Sequence, residues 1–177
     1  IEHTAIGKHT LAMIEYFIDK TKGKIPISLT DTQSPLNTAS LLIDNNSLFM
    51  SFFDCPDELK KLLQVITDVL IGFTKKQIEL IGDSLVYPGH GFASSTAFEG
   101  LGMSDDCFLM LSENQFLDFE SQFLTEAGRP FGGVAFHSCG NWSPKAIAIK
   151  KIRNLVMADG AFSAQTDPNP NQPEPIT

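Results

Sequence analysis

"GGVAFHSCGNW", residues 132–142, opens on two glycines, runs through Val134, Ala135 and Phe136, and ends in His137, Ser138 and Cys139 before a Gly-Asn turn. A short apolar run bounded by glycine reads as a β-strand. Strand side chains alternate faces, so His137 and Cys139, two positions apart, point the same way. Imidazole nitrogen and thiolate are both good zinc ligands, and such a pair can close on one ion. Two ligands make half of a tetrahedral site, so a third must come from Cys107, Asp105, Asp106 or from outside the chain. Cysteine is also among the most buried residue types, so the same pair has a plain reading as core.

The layout of apolar run followed by polar tip recurs outward from this stretch. "KIPISLTD" (24–31) reads as a strand ending at Asp31, and "DSLVYPGHG" (83–91) as a strand leading to Tyr87 and His90. "SSTAFEGLGMSDD" (94–106) reads as either strand or loop and delivers Asp105, Asp106 and, next, Cys107. "NLVMADG" (154–160) ends at Asp159. Helices lie between. "TAIGKHTLAMIEYFIDKTKG" has helical spacing and stops at Gly23. "SPLNTASLLIDNNSLFMSFFD" reads as two short helices broken near Asp44-Asn45-Asn46. Pro56 opens the clearest helix, with Asp57 and Glu58 matching its dipole and an apolar stripe through Leu59, Leu62, Leu63, Ile66, Val69, Leu70 and Phe73. Ser112 and Gln115 form a capping-box pair that starts a helix ending at Gly128, and Ser143-Pro144 start another reaching about Lys150.

Alternation of this kind favours parallel strands joined by helical crossovers, an α/β fold. In such folds the C-terminal ends of the strands are where sites are built. Asp31, Tyr87 and His90 are therefore candidate substrate-binding residues, Asp105 and Asp106 candidate catalytic residues, and His137, Cys139 and Cys107 candidate metal ligands.

The chain has 177 residues, 42% of them hydrophobic and 19% charged, enough for one core and a single domain over 1–177. Its formal charge of −8 argues against nucleic acid and anionic membranes, which require clustered basic residues. No apolar run is long enough to span a bilayer, and "IEHTAIGKHT" lacks the layout of a signal peptide. The odd number of cysteines, 3, suits reduced thiols and a cytoplasmic location. The proline-rich stretch 166–177 reads as an extended tail. Phosphate loops, dinucleotide glycine motifs and serine elbows are absent from the sequence.

Taken together, "TDTQSPLNTASLL" (30–42), "LFMSFFDCPDELKKLLQVIT" (48–67), "MSDDCFLMLSENQFLDF" (103–119) and "FHSCGNW" (136–142) resemble the uroporphyrinogen decarboxylase superfamily, closest to its cobamide-dependent methyltransferase-like branch. The resemblance implies a (β/α)8 TIM barrel, of which this chain holds the middle and part of the second half. It implies a methyl group passed from a methylated corrinoid to a zinc-activated thiol, with a corrinoid protein as partner. Asp105 or Asp106 would then orient a ligand imidazole. In that branch the His-x-Cys pair is joined by a later cysteine. No cysteine follows Cys139, and Cys107 is a substitute if its loop lies beside the strand that carries His137. The other readings are a metal-free porphyrinogen decarboxylase, a lyase of porphyrin biosynthesis, and a binding protein on the same fold without catalysis. Uncovered edges of a partial barrel call for the missing strands or for a homo-oligomer.

Overall fold

The computed structural model describes residues 1–97 and 99–172. Pro56 opens the longest helix, α4, which runs from Pro56 to Ile81 and buries Leu59, Leu63 and Ile66. The helix continues past the apolar stripe, burying Thr74 and Gln77 before Ile81. It is the central packing element, in contact with α1 (Ala5–Thr21), α2 (Pro35–Leu42), α3 (Asn45–Asp54) and α6 (Ser121–Gly128).

Local chemistry sets most helix ends. Thr4, Ser34 and Asp44 each accept a backbone N–H at the start of α1, α2 and α3. Asp44 thereby makes the break between α2 and α3. Lys22 and Gly23, both at positive φ, close α1.

The strands are β1 (Ile27–Ser28), β2 (Leu85–Val86), β3 (Leu101–Ser104), β4 (Val134–His137) and β5 (Leu155–Asp159). All their pairings are parallel: β1 with β2 in one sheet, and β3–β4–β5 in another. Single contacts stitch the two together. Gly102 N–H donates to the Pro88 carbonyl (2.9 Å), and Ser104 N–H donates to the Thr32 carbonyl (3.0 Å). A Cβ on Gly102 would stand 2.9 Å from that Pro88 oxygen, so glycine lets the sheets meet.

Helices α2–α4 join β1 to β2. α5 (Glu113–Phe119) and α6 join β3 to β4, and α7 (Ala146–Ile149) joins β4 to β5. The fold is thus α/β, and among the described residues the strands do not close into a barrel. The link from β2 to β3 carries no helix among its described residues. The core gathers Leu36, Leu63, Met103, Phe108, Phe116, Phe136 and Trp142 between strands and helices.

Two expected elements differ. The helix read over 112–128 is broken at Glu120, whose φ of −125° separates α5 from α6. The expected tail divides: residues 173–177 lie outside the described residues, while Asn171 is buried and hydrogen-bonded to the 140–143 turn. No helix of the described residues is long and apolar enough to cross a membrane.

Candidate metal centre

β3 and β4 bring the first ligands together. Parallel pairing sets Ser104 beside His137, and His137 beside Asp159 of β5. Just beyond β3 the Asp105 N–H donates to the His137 carbonyl (2.8 Å), and the Asp105 carboxyl accepts from Phe108 N–H (3.1 Å). That cap starts a 3-10 turn over Asp106–Met110, which leaves Asp106 exposed and Cys107 buried. Asp106 Oδ1 then accepts the Cys139 N–H (2.9 Å), fixing the turn after β4. Gly140, at φ 73°, takes the chain away from the site.

His137 uses its two nitrogens differently. Nδ1 lies 2.9 Å from Asp159 Oδ2, and Nε2 lies 3.4 Å from Cys139 Sγ. A carboxylate only accepts, so Nδ1 carries a hydrogen toward Asp159, and in the neutral ring the lone pair is then on Nε2. One ligand atom each from Asp106, His137 and Cys139 falls within 4.8 Å of the other two. Zinc–nitrogen and zinc–sulfur bonds of about 2.0 and 2.3 Å at a tetrahedral angle give an N···S edge of about 3.5 Å. The 3.4 Å found between His137 Nε2 and Cys139 Sγ fits that edge.

The electrostatics suit a cation. Partial burial, followed by the charges of Asp106, Asp159 and Asp167, pushes the Cys139 thiol up from its ordinary value. Without a positive charge the sulfur holds its proton, and a bound divalent ion reverses that preference.

β2 supplies the neighbouring wall. His90 sits at φ 49° between Gly89 and Gly91, both at positive φ, an uncommon backbone for a residue with a side chain. Its Nδ1 hydrogen-bonds to Asp31, which also accepts from Gln33 Nε2 (3.2 Å). The His90 ring lies 4.8 Å from that of His137, with Phe92 edge-on to His137 at 6.4 Å.

Of the residues expected at the site, Asp31, His90, Asp106, His137 and Cys139 come together. Cys107 does not join them. Its side chain is buried in the core, and burial pushes its thiol up, as does Asp105. Among the described residues the third candidate donor is Asp106, on the other side of the same turn. Nor does Asp105 orient an imidazole. Fully buried, it faces Glu120; burial pushes both carboxyls up, Asp105 to about 7. Asp105 Oδ2 and Glu120 Oε2 have no donor from another group, so one proton between them satisfies both. Tyr87 joins Ser95 through the backbone, and burial and the nearby Glu99 raise its phenol. Asp159 takes the orienting role, and its signal in the sequence was its place at the end of the last apolar run.

No family model, curated protein or solved structure matches this chain.

Proposed function

We propose that this chain carries the zinc centre of a methyltransferase-like enzyme of the uroporphyrinogen decarboxylase superfamily, built on part of a (β/α)8 barrel. The observation that carries this reading is the approach of Asp106, His137 and Cys139 to within 4.8 Å, with Asp159 behind His137. Three protein donors and an open fourth position are the pattern of catalytic rather than structural zinc. Bound there, zinc lowers the pKa of an incoming thiol, so that a thiolate is available near neutral pH to accept a methyl group.

The chain's own residues do the positioning. Asp159 holds the His137 ring with Nε2 toward Cys139 Sγ, where the two would hold the ion. Asp106 grips the Cys139 backbone with one oxygen and has a second to offer as ligand. His90, braced by Asp31, and Phe92 wall the position beside His137, where the thiol substrate would lie. A methylated corrinoid, free or on a partner protein, is the methyl donor under this reading.

Porphyrinogen decarboxylation is less well supported, because a polyacidic tetrapyrrole needs cations around the site. Arg129 and Arg153 instead precede β4 and β5, at the other end of the strands. A non-catalytic metal-binding protein would keep the centre and lack the transfer.

Metal analysis after zinc loading is expected to give one equivalent. His137→Ala/Cys139→Ala should abolish it, and Asp106→Asn should weaken it by about tenfold or more. Methyl transfer from methylcobalamin to a small thiol should depend on the same residues. A protein that takes up no zinc sinks the proposal, and zinc without transfer returns the binding-protein reading.

A further inference from the structure

The chain's two arginines, Arg129 and Arg153, lie on different segments and line the same groove. The groove measures about 460 Å³ and is completed by Ser121, Gln122, Thr125, Glu126 and Lys151. Arg129 follows the C-terminal end of α6, where the helix dipole favours a cation. That accounts for one arginine. It does not account for Lys151 and Arg153, which come from the segment between α7 and β5.

That segment is pinned to the wall opposite. Arg153 N–H donates to Thr125 Oγ1 (3.2 Å), and the Thr125 hydroxyl in turn donates to the Ser121 carbonyl (2.7 Å). The two sides of the groove are therefore held at a set spacing. Its single carboxylate, Glu126, is engaged elsewhere, accepting from Gln64 Nε2 of α4 (3.0 Å). Among the described residues, none of Arg129, Lys151 and Arg153 has an ion-pair partner. In a chain of net charge −8, this groove sets three cations against one carboxylate and keeps an excess of positive charge.

We infer that this groove is an oxyanion site, taking a phosphate- or carboxylate-bearing small molecule between Arg129 and Arg153. Guanidinium groups match such oxygens in a two-point, planar geometry that lysine does not offer. Ser121 and Gln122 add neutral polar groups along the α6 wall. The site is separate from the Asp106–His137–Cys139 centre and stands whether or not that centre holds zinc.

The test is titration of the isotope-labelled protein with inorganic phosphate, pyrophosphate and citrate, each against sodium chloride of equal ionic strength. Saturable shifts are expected at the backbone amides of 121–129 and 151–153, stronger for pyrophosphate than for phosphate. Arg129→Gln/Arg153→Gln should weaken binding at least tenfold while circular dichroism stays unchanged. Arg129→Lys/Arg153→Lys should fall between the two, since charge is kept and the fork is lost. Sodium chloride reproducing the shifts, or equal affinity in the glutamine variant, overturns the assignment. So does binding of an acidic peptide with none of the three small anions.

Discussion

Each nitrogen of His137 answers to a different neighbour, and the division decides what the ring can bind. Asp159 is 49% exposed at its side chain, so replacing it removes little packing. Asp159→Asn is therefore expected to leave stability nearly unchanged while weakening zinc binding about 10–100-fold. Competition with a chromophoric chelator measures this, and unchanged affinity would remove Asp159 from the site. The His137–Cys139 pair was legible in the sequence from its spacing, but β4 ends at His137, and Cys139 is placed by the turn that Asp106 holds rather than by strand alternation. Asp159 was visible only as a strand end. Its role depends on the β4–β5 register, which no single segment encodes. The choice between Asp106 and Cys107 was hidden for a related reason. They are adjacent in a 3-10 turn, and which one faces outward is set by the Asp105 cap and by the core beneath.

The junction of α5 and α6 shows how tertiary demands override a helical pattern. "DFESQF" contains neither glycine nor proline, so the sequence reads straight through Glu120, whereas the capping box at Ser112 and Gln115 marks the helix start correctly. Glu120 is wholly buried opposite Asp105, and the Glu120 Oε1 atom accepts from Leu36 N–H (3.4 Å). The pair ties the end of β3 to the α5–α6 break and to the start of α2. Both carboxyls are raised in the folded chain, so it binds more protons than the unfolded chain between the ordinary carboxyl range and about pH 7. The stability they contribute is full below the unfolded values and is lost as pH rises through about 7. Denaturation midpoints should accordingly fall between pH 5 and 7.5. Glu120→Gln supplies an amide donor to the Asp105 carboxylate and should reduce that pH slope by roughly half or more. An unchanged slope in the variant would place the titrating proton elsewhere.

Over the whole molecule, alternating apolar periods made a parallel α/β fold legible, including both helices of residues 35–54. Closure was not legible, because it depends on pairing between distant strands. β1 and β2, read as eight or nine residues each, pair over Ile27–Ser28 and Leu85–Val86 only. Asn171 is the other long-range feature that composition concealed. Its carbonyl oxygen accepts from Trp142 N–H (2.7 Å) and Ser143 N–H (2.9 Å), while its amide donates to the carbonyls of Gly140 (2.9 Å) and Ala161 (3.0 Å). Asn171→Ala leaves these buried groups without partners and should cost about 1–3 kcal/mol in denaturant unfolding. Zinc affinity should fall with it, because the turn that follows Cys139 loses its anchor. That anchor lies 29 residues beyond Trp142. The turn that follows Cys139 is therefore tied only once the chain through Asn171 has been made.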